Sequence, residues 1–144
     1  KANFLALMRL VDRGVPLPFG CARNRRSLVF VGNLCSAIVS CIKAPAAAGE
    51  AFLVSDGMNL STPGLVHMIA DAMQRRALLL PVPYQVMHWG FRLLRRRDLW
   101  NRLMGSLVVD SSKIFHCIGW TPPYSLVDGI KITVDWYRAG KSPL

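Results

Sequence analysis

The chain has 144 residues, 52% of them apolar, and a mean hydropathy of +0.30. That length excludes more than one domain, and the apolar share is high for so small a unit, so part of its surface is expected to meet another domain. The net charge of +10, from 18 Lys and Arg against 8 Asp and Glu, calls for an anionic partner: nucleic acid, acidic lipid or a diphosphate.

Residues 3–12 read as a helix stopped by Gly14 and Pro16, and residues 16–20 as a short extended piece, because Pro16 and Pro18 exclude a helix interior. A basic loop, 21–26, leads to a β-rich stretch at 27–31. From Asn33, expected to cap it, the positions Leu34, Ala37, Ile38, Cys41 and Ile42 follow the 3.6-residue period of an amphipathic helix. A loop at 45–49 precedes a strand at 51–55, and Asp56-Gly57 reads as a turn. Ser61 caps a helix with Pro63 in its first turn and Leu65, Met68, Ile69, Ala72 and Met73 on one face. A short strand is expected at 77–82, a helix at 84–96, a turn at 98–104 and an extended piece at 107–109. Asp110-Ser111-Ser112-Lys113 reads as the capped start of a short helix that Gly119 stops. Ser125 and Asp128 make a capping-box pattern for a last helix, with Leu126, Ile130, Val134 and Tyr137 inward and Gly140 as its end. The pattern is mixed α/β.

Several function classes find no support. Residues 77–91 are almost uncharged, but a membrane span needs about 20 such residues and this run contains Pro81, Pro83 and His88. An interfacial helix at 84–97 competes with a helix packed on its own protein with a solvated arginine end, and the second reading is preferred. The arginines show neither interleaved aromatics nor a helix-turn-helix pattern, so nucleic acid is not expected. Cys21, Cys35, Cys41 and Cys117 lack the C-x-x-C spacing of a zinc site, and the reading is free thiols in a reducing compartment. Tyr137 and Lys141 have the spacing of a catalytic Tyr-x-x-x-Lys pair, but Gly140 breaks the helix between them. No G-x-G-x-x-G run is present. The chain opens at Lys1 directly on an apolar stretch without a signal-peptide pattern, which suits a fragment or a processed chain.

Two segments carry a resemblance: Arg25-Arg26-Ser27-Leu28-Val29-Phe30-Val31-Gly32-Asn33, and Asp110-Ser111-Ser112-Lys113 running on to Gly119-Trp120-Thr121-Pro122. With Phe52-Leu53-Val54-Ser55-Asp56-Gly57 between them, the chain resembles, from Asn3 to Tyr137, the carboxy-terminal part of the extended short-chain dehydrogenase/reductases, the NAD-dependent epimerases and dehydratases of nucleotide sugars. The resemblance implies a single fragment, 1–144, forming the substrate-binding part of a Rossmann-type α/β fold, with segments that complete a cofactor domain lying outside it. It places Arg26 on the substrate diphosphate, with Arg25 and Arg23 as neighbours able to share the task. Leu17-Pro18-Phe19-Gly20 falls at the uracil site, where Leu17 and Phe19 flank the base. Asn3 becomes a substrate-facing residue, and Arg102, with Arg97 as second choice, the other phosphate arginine. Ser27 and Asn33 stand where the family has aspartates. NAD and the catalytic tyrosine belong to an amino-terminal half. The wording is most similar to enzymes acting on UDP-sugars in bacterial O-antigen and capsule synthesis. A cytoplasmic location and a homodimeric whole enzyme are expected. The rival expectations are a non-catalytic nucleotide-sugar-binding remnant and a basic membrane-surface protein.

Overall fold

The computed structural model describes residues 2–93 and 104–140. Its elements are α1 (Ala2–Asp12), β1 (Arg26–Ser27), α2 (Val31–Lys43), a 3-10 turn (Pro45–Ala47), β2 (Asn59–Leu60), α3 (Thr62–Ala72), α4 (Tyr84–Leu93), α5 (Ser112–Ile118) and α6 (Leu126–Ala139). Helix α3 packs between α1 and α6. Its positions Val66, Ile69 and Ala70, with the C-cap Met73, share one buried cluster with Leu7, Met8 and Val11 of α1 and Ile130, Val134 and Tyr137 of α6. Both spacings keep one stripe of a 3.6-residue helix on the core, and each fully buried aliphatic contributes about 1.5–3 kcal/mol. A smaller cluster forms where Ala37, Ile114 and Trp120 meet Phe52 and Val54.

Strand β1 pairs antiparallel with β2, Arg26 opposite Leu60 and Ser27 opposite Asn59. Leu107 joins the other edge of Arg26 in parallel, and Leu17 makes a separate parallel bridge to Leu79. The strand expected at 27–31 is therefore shorter and begins earlier, and α2 starts at Val31, not at Asn33. The expected strand at 51–55 keeps the alternation of one, with Phe52 and Val54 half-buried and Leu53 63% exposed. Among the described residues no ladder partner meets it, and a strand is assigned only where a neighbour supplies one. The strand expected at 77–82 reduces to the single bridge at Leu79 for the same reason. Helix 84–96 is described as far as Leu93, and the turn expected at 98–104 lies outside the described residues except for Met104, which is helical.

Asn33 does not cap α2, as the sequence suggested. It lies within the first turn, fully buried, because a buried partner is available. Its amide donates to Asp56 Oδ1 at 2.7 Å and to the Tyr124 carbonyl at 2.9 Å, and its oxygen accepts from Tyr124 N–H at 3.0 Å. The capping is done from a distance: the Phe30 N–H at the N-cap donates to the Asp56 carboxylate at 2.9 and 3.1 Å. The negative carboxylate also suits the positive end of the helix dipole. The Phe30 ring stands edge-on to Tyr124, centroids 5.4 Å apart. At Gly129 on α6 a Cβ would stand 2.8 Å from the Phe30 Cβ, so that position requires glycine for the close approach.

The other caps are local. Ser61 Oγ accepts from Gly64 N–H at the start of α3, and Ser125 and Asp128 form the expected capping box on α6. For α5 the residue before the N-cap works: Asp110 Oδ1 accepts from Ser112 N–H at 2.9 Å, and Gly119 closes the helix in the left-handed conformation at φ 68°. The Ser112 backbone N–H, then its hydroxyl, hold the Asp110 carboxyl below its ordinary range. Lys113 likewise lowers Glu50, its 2.7 Å surface ion pair.

Asn33→Ala is expected to lower the urea-derived unfolding free energy by about 2–3 kcal/mol, because it removes three hydrogen bonds at a fully buried position, to Asp56 and to the Tyr124 backbone, while Ser125→Ala costs about 1 kcal/mol. A depressed folded pKa means that the capping contribution of Asp110 is complete at neutral pH and is lost as acidification passes the ordinary carboxylate range. Carbon-13 NMR titration is expected to place the Asp110 midpoint below that of an unfolded aspartate, and Ser112→Ala to raise it without restoring it fully.

Candidate functional site

The loop 20–25 is tied at both ends. At its start, Leu17 N–H donates to Leu78 O at 2.7 Å, Leu80 N–H to Leu17 O at 2.8 Å and Gly20 N–H to Leu80 O at 3.0 Å. Gly20 is needed there, since a Cβ would stand 2.9 Å from the Leu80 carbonyl oxygen. The side chains of Leu17 and Phe19 are buried in the main core.

At the other end of the loop, Arg26 lies in β1, half-buried, and its Nε donates to the Gly105 carbonyl at 2.9 Å. That bond orients the planar guanidinium, which suits bidentate recognition of phosphate. Arg25 is exposed, and its N–H donates to Ser106 Oγ at 3.0 Å. Arg23 is exposed as well, so the loop presents three cations within four positions. Beneath them, buried Asn24 accepts from Thr62 N–H at 2.9 Å and reaches Gly105 O at 3.4 Å. Ser27 donates to Asn59 Oδ1 at 2.6 Å and accepts from Val109 N–H at 2.8 Å. Its hydroxyl thereby joins β1 to two neighbouring segments.

Asn3 lies in the first turn of α1, and its side chain is outside the described residues. The residues following it, Phe4 and Leu5, line an apolar cavity of about 630 Å³ shared with Phe30, Ile130 and Trp136. A second cavity, about 530 Å³, lies among Leu34, Ile38, Phe52 and Ile114. Arg102 and Arg97 lie outside the described residues. The structure thus brings Leu17, Phe19 and Arg26 to the two ends of one pinned loop. Sequence reasoning missed Asn24 and Asp56. Asn24 has a signal, a neutral amide amid arginines, whereas Asp56 before Gly57 carries only the local pattern of a turn.

Tyr137 is buried and donates through its hydroxyl to Asp12 Oδ2 at 3.3 Å. Helix α6 ends at Ala139, so the tyrosine serves the core. For NAD, a strand-to-helix junction would need a glycine loop open to a diphosphate. Gly32, in the first turn of α2, has its free side filled by the Phe30 and Tyr124 rings. Gly32 at the start of α2 is therefore not an open glycine of that kind. Among the same residues no group of three His, Cys, Asp or Glu side chains could hold a metal, and no helix is long and apolar enough to cross a membrane.

No family model matches the chain. It is 46% identical over 136 residues to a UDP-glucose 4-epimerase of Vibrio cholerae, covering 94% of this chain and 42% of that protein. It is 29% identical over 133 residues to a dTDP-glucose 4,6-dehydratase of Xanthomonas campestris, covering 90% of this chain and 35% of the other. Among solved structures, dTDP-glucose 4,6-dehydratase from Bacillus anthracis in complex with NAD matches with a TM-score of 0.66 at 16% identity, over 96% of this chain and 39% of that one. UDP-glucose 4-epimerase with UDP-glucose from Thermotoga maritima matches equally, TM-score 0.66 at 18% identity, over 95% and 39%. The fold is thus part of the Rossmann-type α/β architecture of these enzymes. The chain's homologues are the UDP-glucose 4-epimerases and dTDP-glucose 4,6-dehydratases of the extended short-chain dehydrogenase/reductase family, and it spans about two fifths of the length of the curated relatives it matches.

Proposed function

We propose that this chain is the carboxy-terminal, substrate-gripping part of an NAD-dependent enzyme acting at C4 of a UDP-sugar. The net outcome is epimerisation, dehydration or reduction, within bacterial surface-polysaccharide synthesis in the cytoplasm. NAD is held by the remainder of the enzyme, and the whole assembles as a homodimer. The observation that carries this reading is the 46% identity, across 94% of the chain, to a UDP-glucose 4-epimerase.

The surface supports a partner half. The outer face of α2 leaves Val31, Ile38 and Ile42 at 65%, 52% and 80% exposure, and the run 51–55, where Phe52 and Val54 alternate with exposed Leu53, has no ladder partner among the described residues. An apolar stripe of this kind beside an unpaired alternating segment fits coverage by another layer of structure. Within the grip, Arg26 carries the charge for the diphosphate, with its plane oriented through Gly105. Arg25 and Arg23 raise the local positive potential, and the backbone of 17–20 meets the base. Asn3 faces the sugar, and Arg102 supplies the second phosphate contact. Binding energy from the remote nucleotide then positions the reacting carbon.

Calorimetric titration with UDP tests the grip, on this chain and on a longer protein extended at its amino terminus. Saturable binding is expected in the longer protein, with Arg26→Ala weakening it by about 10–100-fold, in line with loss of about 1.5–3 kcal/mol for a charged hydrogen bond. Arg26→Lys, a point charge without the fork, is expected to recover only part of that loss. Equal affinity of the wild type and Arg26→Ala would overturn the assignment of the diphosphate to Arg26, and absence of UDP binding by a folded longer protein would overturn the reading as a whole.

A further inference from the structure

The segment running into α4 presents a second surface, unlike the neutral stripe of α2. Ala77 and Leu79 are half-buried against the main core, while Leu78 and Leu80 between and after them are exposed. Arg75 and Arg76 precede them, both exposed, and exposed Pro81 and Pro83 lead into the helix. On α4, Met87 is buried in the core, whereas Val86 and Trp89 are 60% and 70% exposed. These two are three apart and so share a face. Arg92 continues that face and lies over the Trp89 ring, 5.8 Å from its centroid, a cation–π contact that holds the indole on the outer surface. From Arg75 to Leu93 the sequence contains no Asp or Glu, and beyond it come Leu94 and then Arg95, Arg96 and Arg97. None of the exposed apolar residues of this segment lines either cavity described above.

A solvent-facing indole, aliphatic residues and several arginines, with no acidic group among them, match the two demands of an anionic lipid surface. The indole and aliphatics enter the headgroup boundary, and the guanidinium groups meet its negative charge. A nucleic acid would satisfy the charge but leave Leu78, Leu80 and Val86 without a use. We infer that the outer face of α4, Val86 and Trp89 with Arg92 over the indole, docks the protein peripherally and reversibly on anionic lipid, and that the exposed Leu78, Leu80, Arg75 and Arg76 of the segment leading into it add to the attraction. This docking is independent of the nucleotide-sugar grip.

The test is co-sedimentation of the chain with vesicles of mixed phosphatidylglycerol and phosphatidylcholine, against phosphatidylcholine alone. Binding is expected only with the anionic lipid and is expected to fall as salt is raised. Arg92→Gln should reduce the partition coefficient about fivefold, the share of one cation at such a surface, and Trp89→Ala about tenfold, for loss of a buried aromatic. Both positions are exposed, so the variants keep the fold, which circular dichroism checks. Ile42→Glu, on the α2 stripe, should bind as well as the wild type. No binding to the anionic vesicles, equal binding to the neutral ones, or an Ile42→Glu loss as large as that of Trp89→Ala would each overturn the docking surface. So would retention of full lipid binding by Trp89→Ala, or a short RNA displacing wild type and Trp89→Ala equally well, since either would leave charge alone as the attraction.

Discussion

The buried amide of Asn33 and the carboxylate of Asp56 are the joint on which the rest of this chain is hung. Three segments that are far apart in sequence converge on them: the start of α2 with its Phe30 N-cap, the turn at 56–57 and the backbone of Tyr124. Burying an amide and a carboxylate together is costly unless their hydrogen bonds are supplied, and here Asn33 makes bonds at both ends of its amide. No buried side-chain nitrogen or oxygen among the described residues lacks a partner. The joint sets where α2 begins, and through Phe30 and Gly129 it sets how closely α6 approaches.

The arginine loop takes its rigidity from the same neighbourhood. Ser27, three residues before the N-cap, holds β1 to Asn59 and to Val109, and Asn24 holds the loop's far side to Thr62 at the start of α3. Arg26 is thereby mounted between a helix start and a small sheet. A cation on a mount of this kind loses little conformational freedom when an anion arrives, which is the condition for spending binding energy on orientation. The Ser27 hydroxyl performs the structural joining without adding a negative charge beside the guanidinium.

The exposed apolar surface falls into two parts with different physics. The α2 stripe is uncharged and lies next to a segment, 51–55, whose backbone lacks a strand neighbour among the described residues. It has the character of an interior face. The α4 edge mixes an indole and aliphatics with arginines, and has the character of a boundary between an apolar and a charged phase.

The sequence by itself determined whatever depends on neighbours within about one helical turn. The apolar period of α3 and α6, the Ser61 cap, the Ser125–Asp128 box, the Gly119 stop and the cationic loop around Arg26 are all legible there, because each is a local interaction with a residue-type signature. The motif order also made the family resemblance legible. Tertiary structure alone decided the pairs: Asn33 with Asp56 and Tyr124, Asn24 with Thr62 and Gly105, Leu17 with Leu79, and the inward burial of Leu17 and Phe19 where a base-covering role had been expected. A buried hydrogen bond or a strand ladder is set by which distant segment arrives beside it. An asparagine before a helix has the same local pattern whether it caps that helix from outside or, once a carboxylate from a distant turn is folded against it, is drawn inside.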